Sequence, residues 1–195
     1  MDVGSHVALA LGCIACLAVS AHAAADEALR DKTLVVWAAP ADLDQHGGSA
    51  LTIDGWQGRF DGIVFAELSP RRWMAGSNGF ARTHREQDAW PQETAPADTF
   101  VQIAIVYRGS EVEIYRNGEP YAAYALPNPP QAFDGSSVVM FGKRHLDVGL
   151  GDQTFGGRIA DARIYAEPLD EATLAALEPG EASEPPPWAW WSLFP

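Results

Sequence analysis

Short runs of β-branched and aromatic residues recur along the chain from Thr33 onward, and groups of Gly, Pro, Asn and Asp separate them. Runs of this kind between turn-forming residues are typical of strands in an all-β domain. Residues 30–178 are therefore predicted to form one domain of short antiparallel strands. The predicted strands are 33–38, 49–53, 62–68, 100–107, 111–116, 120–125, 138–142 and 158–165.

The strongest local signal comes from the consecutive predicted strands between residues 100 and 125. A short loop centred on Gly109 separates the first two strands, and Asn117-Gly118 separates the next two. Gly and Asn adopt positive φ at low cost, as tight hairpin turns require. The pattern predicts a three-stranded antiparallel meander, and with the other strands it favours an all-β, two-sheet antiparallel jelly-roll sandwich.

The alternation ends after Tyr165 and a helical pattern follows. Asp170 can cap the N-terminus of a short helix that runs to Leu177, and Pro179 with Gly180 would end it. We expect this one C-terminal helix to lie on the sandwich as a lid.

Residues 179–195 combine an acidic, proline-rich segment with Trp188, Trp190, Trp191 and Phe194. Proline-rich acidic sequence favours an extended linker, and an aromatic tail without a core would leave a sticky patch in water. We interpret the segment as a linker followed by the truncated start of a second domain, and expect it to be mobile or only loosely docked. A tail docked on the sandwich is the alternative.

The beginning of the chain has a different composition. Residues 7–19 are almost wholly apolar, and the small residues Ala21 and Ala23 follow in a cleavage pattern, so residues 1–23 are predicted to be a signal peptide. The apolar stretch is shorter than the about 20 residues that a membrane-spanning helix needs. We therefore expect a mature chain that is secreted, periplasmic or otherwise at the cell exterior, with no membrane segment after cleavage.

Charge and cysteine content exclude several classes. The formal net charge is −13, whereas nucleic acids and anionic membranes attract proteins with positive charge. Neither is expected as a partner, which leaves a cation, a neutral polymer or a protein. Both cysteines, Cys13 and Cys16, lie in the predicted signal peptide, so the mature domain is not a disulfide scaffold.

Three segments resemble the laminin G-like jelly rolls of the concanavalin A-like superfamily. Residues 100–124 are similar to the family's paired strands around an Asn-Gly hairpin, and residues 156–165 to its closing strand, with the acidic residue one place later. Residues 168–177 resemble its terminal helix. The resemblance implies the same two-sheet fold.

The first half of the domain resembles one variant of this family. Residues 33–43 and 59–73 are similar to accessory domains found beside sucrose- and fructan-cleaving glycoside hydrolases. The resemblance implies a carbohydrate context, and a fused hydrolase domain in longer relatives.

The resemblance also implies a structural calcium ion near the closing strand, with Asp161 as the matching carboxylate. Calcium takes about six to eight oxygen ligands, so one Asp does not define a site. An ion pair between Asp161 and Arg163 is the favoured alternative, and we expect no other cofactor.

Hydrolases of the same superfamily place acidic residues at alternating positions of one strand, and Glu111 and Glu113 match part of that pattern. Arg116 stands where the third acid would lie. Because Val112 and Ile114 alternate with the two glutamates, a solvated acidic face is the favoured explanation. We predict no catalytic residue here.

A polar segment at residues 69–98 is too long for a hairpin loop, and long loops in compact domains are often functional. Trp90 precedes Pro91, which favours an extended, loop-like position. Trp73 is a second candidate, although a buried strand position is the favoured alternative for it. Flat aromatic rings stack on sugars, and polar side chains bind their hydroxyls or carboxylates. The candidate polar residues are Asn78, Arg82, His84 and Arg85.

These observations predict a secreted, non-catalytic binding domain that acts as a carbohydrate-binding accessory module. A protein-contact or adhesion domain at the cell exterior is the alternative, and a glycoside hydrolase is the least favoured class. Fold cannot choose among them, because function depends on the sites that a fold carries.

Overall fold

The computed structural model of the protein describes residues 28–55, 59–126, 129–145 and 154–193. The predicted signal peptide, with Cys13 and Cys16, lies outside these residues, as does Phe194 of the tail. Within them the chain forms two antiparallel sheets and one short helix, which confirms the predicted jelly-roll fold class.

Each sheet has a simple order of strands. The strands are β1 (Lys32–Pro40), β2 (Gly48–Asp54), β3 (Phe60–Phe65), β4 (Trp73–Ser77), β5 (Val101–Arg108), β6 (Glu111–Arg116), β7 (Glu119–Ala125), β8 (Val138–Phe141), β9 (Gly157–Tyr165) and β10 (Ala189–Ser192), and helix α1 spans Glu171–Ala176. The six-stranded sheet has the order β10-β9-β1-β5-β6-β7, and the four-stranded sheet has the order β4-β3-β2-β8. The predicted meander is the run β5-β6-β7.

Strands β3 and β4 differ from the sequence-based expectation. β3 ends at Phe65, before the predicted end at residue 68, because Ala66 has a φ of 57° and begins a turn. β4 was not predicted, since its small residues carry little strand propensity. Gly76 in β4 is required by close packing, because a Cβ there would lie 2.4 Å from Cγ2 of Val64.

The main hydrophobic core fills the space between the two sheets. Alternate residues of β1 and β5 enter it from the six-stranded sheet, and residues of β2, β3 and β4 meet them from the other side. Removing this apolar surface from water is the main favourable term in folding. Among the fully buried members are Leu34, Leu51, Ile63, Phe65, Trp73 and Ile103.

A second apolar cluster covers the outer face of the six-stranded sheet. Val35 and Val106 of the sheet belong to the same buried cluster as Leu174 of α1. Asp170 caps the helix by accepting a hydrogen bond from the Thr173 N–H at 2.8 Å, and this bond lowers the pKa of the Asp170 carboxyl. The helix therefore covers the sandwich as predicted.

Two cations share one carboxylate between the sheets. Nζ of Lys32, in β1, lies 2.9 Å from Oδ2 of Asp61, in β3, and Nε of Arg82 donates a 2.8 Å hydrogen bond to Oδ1 of the same residue. Lys32 and Asp61 are fully buried. Burial lowers the pKa of Lys32, and the adjacent Asp61 opposes that shift. This group, the buried charge triad, connects both sheets to the segment that carries Arg82.

The C-terminal tail pairs with the sandwich, so the expectation of a mobile or loosely docked segment at residues 179–195 is wrong for the part that the structure describes. β10 pairs antiparallel with β9. Nε1 of Trp190 donates a 2.9 Å hydrogen bond to Asp161, and the ring of Trp191 lies 5.3 Å from that of Phe141. The physical reason is that β9 would otherwise expose an unpaired sheet edge, which the tail satisfies. The described part of the tail is therefore docked on the sandwich.

We expect Trp191→Ala to lower the free energy of unfolding by about 2 kcal/mol, because it removes aromatic contacts with the core. For a chain of this size the melting temperature should fall by about 4–8 °C, measured by circular dichroism. Trp188→Ala is the matched control, since Trp188 is 43% exposed, and it should shift the melting temperature by less than about 2 °C. Equal effects of the two changes would contradict the docking.

We expect Asp61→Asn to lower the free energy of unfolding by about 3–5 kcal/mol, because two buried cations would lose their shared carboxylate. Urea denaturation measures this loss. Asp44→Asn is the control: it removes an exposed ion pair with Arg71, and exposed pairs contribute less than about 1 kcal/mol. A loss at Asp61 no larger than at Asp44 would show that the triad does not stabilise the fold.

Candidate functional site

The segment at residues 78–100 crosses from β4 in one sheet to β5 in the other. It passes along β7, where the Tyr121 hydroxyl donates a 2.6 Å hydrogen bond to the Pro91 carbonyl and the Tyr124 hydroxyl donates a 2.9 Å bond to the Arg82 carbonyl. Burial raises the pKa of Tyr121 to about 12 and also raises that of Tyr124, so both hydroxyls remain protonated donors. These bonds hold the crossing segment against the edge of the six-stranded sheet.

Trp73 is a core residue. As the first residue of β4 it is fully buried, and its ring centroid lies 4.7 Å from that of Phe65. A side chain in this position cannot contact a ligand at the surface. The candidate role of Trp73 in ligand binding is therefore wrong, and the buried strand alternative is correct.

Glu93 anchors the middle of the crossing segment, and no sequence pattern singles it out. Its buried carboxylate accepts hydrogen bonds from Arg116 at 2.6 and 2.9 Å, from Nε1 of Trp73 at 2.9 Å and from the Ala95 N–H at 2.8 Å. Burial alone would raise the pKa of Glu93, but these hydrogen bonds outweigh it and hold the pKa below its usual range. Glu93 therefore joins the segment to β4 and β6 as an ionised group.

Arg82 and Asn78 fix the beginning of the segment. Besides its bond to Asp61, Arg82 uses Nη2 to donate to the Phe60 carbonyl and to Oδ1 of Asn78, both at 2.9 Å. The Arg82 side chain is buried. Both residues were candidate ligand-binding groups, but these contacts turn Arg82 inward, and a structural role describes it better.

His84, Trp90 and Tyr124 form a group of near-parallel rings at the surface, which we call the aromatic shelf. The ring centroids lie 5.7 Å apart for His84 and Trp90, 6.0 Å for Trp90 and Tyr124, and 5.4 Å for His84 and Tyr124. The three ring planes lie within 35° of one another. Each side chain is partly exposed. The structure therefore brings together two predicted candidates, His84 and Trp90, and adds Tyr124.

A β-bulge brings a second tyrosine of β7 to the same side as Tyr124, which was not among the predicted candidates. The pairing of β6 with β7 changes register between Ile114 and Tyr115, which leaves Tyr121 as an extra residue on β7. Tyr121 and Tyr124 can therefore both reach the crossing segment, although simple alternation would place residues three apart on opposite faces. The pair of tyrosines was the available signal, but a bulge cannot be read from one sequence.

Arg85 follows His84 of the shelf directly in the sequence and is exposed. Its guanidinium lies 4.9 Å from the ring centroid of Phe80, and its hydrogen bond to the Gly79 carbonyl is long, at 3.5 Å. Phe80 has a φ of 58°, a left-handed conformation that is unusual for a bulky residue. Among the candidates, Arg85 is the one whose charged group stays available to a ligand.

Asp161 does not fit a calcium site. Its buried carboxylate accepts hydrogen bonds from Nε of Arg163 at 2.9 Å, from the Gly180 N–H at 2.7 Å and from Nε1 of Trp190 at 2.9 Å. A cation and two further N–H donors therefore occupy the oxygen lone pairs that calcium would need. Within residues 28–193, as far as they are described, no group of three or more His, Cys, Asp or Glu side chains could hold a metal ion. The ion pair with Arg163 is the correct alternative.

Glu111 and Glu113 lie on the solvated side of β6, as the alternation predicts. Glu111 is exposed, and Glu113 accepts a 3.3 Å hydrogen bond from the Tyr115 hydroxyl. Arg116 pairs with Glu93 and does not complete a row of acids. The geometry thus supports the solvated-face explanation.

The sequence matches one protein family. Residues 18–175 match the profile of the concanavalin A-like lectin/glucanases superfamily. No protein of curated function matches the sequence at a significant level.

Solved structures share the fold at low sequence identity. A Bacteroides ovatus protein whose name proposes carbohydrate binding is 15% identical, with a TM-score of 0.62, over 86% of this chain and 46% of its own. Domain 4 of a Geobacillus stearothermophilus GH43 extracellular arabinanase, in complex with arabinotriose, is 18% identical, with a TM-score of 0.52, over 75% of this chain and 65% of its own. The CBM40 of Ruminococcus gnavus IT-sialidase, bound to α2,3-sialyllactose, is 14% identical, with a TM-score of 0.52, over 76% and 82%. The chain thus spans about half the length of the Bacteroides protein, and these identities establish the fold alone.

We expect Glu93→Gln to lower the free energy of unfolding at pH 7 by about 2 kcal/mol, because the variant loses charge-assisted hydrogen bonds. The folded-state pKa lies below the ordinary value of 4.5, so ionised Glu93 stabilises the fold above that pH, and the stabilisation is lost as the pH falls through the folded-state pKa. Urea denaturation across this pH range should show that the free energies of unfolding of the wild type and of Glu93→Gln converge at acid pH. Glu113→Gln is the control and should change stability by less than about 0.5 kcal/mol. A difference between wild type and Glu93→Gln that does not depend on pH would refute the ionised anchor.

Proposed function

The chain belongs to the laminin G-like family of the concanavalin A-like lectin/glucanase superfamily, and from this premise we propose that it is a non-catalytic module that binds carbohydrate on the aromatic shelf. The observation that carries the proposal is the set of near-parallel rings of His84, Trp90 and Tyr124 at the surface. Sugar rings present flat C–H faces, and aromatic rings that expose their own faces provide apolar area for them.

The shelf is held in place before any ligand arrives. The Trp90 carbonyl accepts a 3.1 Å hydrogen bond from Nε of Arg72, and the Trp90 N–H donates to the Gln87 carbonyl at 2.9 Å. Tyr124 is fixed by its bond to the Arg82 carbonyl. A rigid site loses little conformational entropy on binding, which favours affinity for flexible polymers such as glycans.

Polar groups beside the shelf supply hydrogen bonds for sugar hydroxyls. The exposed Arg85 guanidinium is the principal donor, and Asn78 is partly exposed although its Oδ1 already accepts from Arg82. A binding role requires no acid and base placed on either side of a glycosidic bond, as hydrolysis does. We therefore propose binding as the activity, and a fused hydrolase domain in longer relatives as the partner that would benefit from it.

A protein-contact role at the cell exterior is the second candidate, and the tail favours it. Trp188, Trp190 and Leu193 are 43%, 39% and 40% exposed, and they lie on or beside the edge strand β10. Exposed apolar patches on a sheet edge often mark protein interfaces. No helix in the described part of the chain is long and apolar enough to span a membrane. Location at the cell exterior remains part of the proposal.

We expect the full chain to bind a subset of glycans on an array, and Trp90→Ala to weaken that binding by about tenfold or more. Loss of an aromatic contact at the centre of a site costs on the order of 2 kcal/mol. Isothermal titration with a glycan identified on the array measures the change, and the melting temperature checks that the variant is folded. Trp188→Ala, the matched control, removes an exposed tryptophan away from the shelf and should leave the affinity unchanged.

Two outcomes would overturn the glycan proposal. Absence of any saturable glycan binding by the folded chain would do so, and would favour the protein-contact role. Equal losses of affinity from Trp90→Ala and Trp188→Ala would show that the shelf is not the binding surface.

A further inference from the structure

Cationic side chains near the aromatic shelf contrast with the net negative charge of the whole protein. The chain contains 26 acidic and 13 basic side chains. Arg72 nevertheless lies buried behind Trp90, where its guanidinium donates to the carbonyls of Trp90, Asp88 and Pro70 at 3.1, 2.8 and 3.0 Å. In the described ranges no carboxylate pairs with Arg72. Carbonyl oxygens satisfy its hydrogen bonds but leave its positive charge uncompensated.

The buried charge triad adds a second excess of positive charge on the Tyr124 side of the shelf. Arg82, whose carbonyl binds the Tyr124 hydroxyl, shares the Asp61 carboxylate with Lys32. Two cationic side chains thus face one carboxylate, although burial lowers the pKa of Lys32 and so opposes its charged form. Charges in a buried environment are weakly screened, so their field reaches the nearby surface.

Arg85 brings positive charge to the surface itself. It is exposed, and none of the carboxylates that the structure describes forms an ion pair with it. Its contacts are the face of the Phe80 ring at 4.9 Å and the long hydrogen bond to the Gly79 carbonyl. The planar guanidinium therefore keeps donors free, and its fork geometry matches a carboxylate.

Two acidic side chains oppose this positive region. Glu86 and Asp88 are exposed on the same segment, and Oδ1 of Asp88 accepts a 3.1 Å hydrogen bond from Ser69. The remaining negative charge of the protein acts over longer distances, and at physiological ionic strength fields between exposed charges decay over about 8 Å. The charges of this segment therefore act on a bound anion more strongly than the distant carboxylates do.

We propose that the aromatic shelf selects sugars that carry a carboxylate, with the sugar ring on His84, Trp90 and Tyr124 and the carboxylate on Arg85. This inference rests on the proposed carbohydrate-binding function and specifies its ligand class. The electrostatic field of Arg72 and of the buried charge triad attracts the sugar carboxylate. Arg85 contacts that carboxylate directly. Neutral sugars offer Arg85 a hydroxyl in place of a carboxylate, so they lack the charge-assisted bidentate hydrogen bond.

The test compares matched acidic and neutral ligands on the full chain. Sialyllactose is compared with lactose, and oligogalacturonate with its methyl ester, by isothermal titration. Affinity for the acidic member of at least one pair should exceed that for its neutral partner by about tenfold, in line with a charge-assisted bidentate hydrogen bond. The affinity for the acidic ligand should decrease as the salt concentration rises.

Single substitutions locate the effect. Arg85→Gln should remove most of the preference for the acidic ligand, because glutamine can still hydrogen-bond a hydroxyl but carries no charge, so acidic-ligand affinity should fall more than neutral-sugar affinity. Glu86→Gln should strengthen acidic-ligand binding. Arg108→Gln is the matched control, because Arg108 is also exposed and also has a 3.5 Å hydrogen bond to a backbone carbonyl, that of Leu169. Arg108→Gln should change neither the acidic-ligand affinity nor the neutral-sugar affinity.

The outcomes separate this inference from the function on which it rests. Equal binding of acidic and neutral partners, lost in Trp90→Ala, would overturn the carboxylate preference and retain carbohydrate binding. An acidic preference that survives Arg85→Gln would overturn the role of Arg85. Absence of binding to every glycan would overturn both proposals.

Discussion

Asp61 is the point at which the main parts of the molecule meet. Its carboxylate lies between Lys32 of β1 and Arg82 of the crossing segment, so one side chain of the four-stranded sheet holds the six-stranded sheet and the loop that carries the candidate site. Removing one partner from a buried ion group leaves an uncompensated charge, which is far more costly than an apolar gap. The geometry of the aromatic shelf thus depends on the same interaction that fixes the two sheets, because Tyr124 binds the Arg82 carbonyl.

The elements that could be predicted are those whose pattern is local. β5, β6 and β7 follow one another through tight turns, and their alternation, Gly109 and Asn117-Gly118 are visible in the sequence. The extent of β4 and the whole of β10 were not predicted, because neither has a strong local pattern. β4 consists largely of small residues and Gly76, and β10 exists through pairing with β9, which precedes it by more than twenty residues. Propensity is a weak guide where tertiary contacts decide.

Residue type identified the candidate region but not which way each side chain points. Arg82 and Arg85 are three residues apart and chemically identical, yet Arg82 is buried on Asp61 and Arg85 is exposed on Phe80. Both residues follow the turn at residues 78–80, which has positive φ values, and only the assembled sheets place Asp61 within reach of Arg82. Such turns, like the bulge at Tyr121, depend on the assembled sheets, and a single sequence does not show them.

A protein with a large negative charge can present a locally positive surface only if its cations avoid carboxylates there. Arg72 meets this condition, because carbonyl oxygens satisfy its donors without cancelling its charge. Lys32 and Arg82 meet it partly, because they share one carboxylate. An apolar core of equal volume would avoid the cost of burying these charges. These cations therefore connect the sheets and, under the proposed function, also place positive charge near Trp90 and Tyr124.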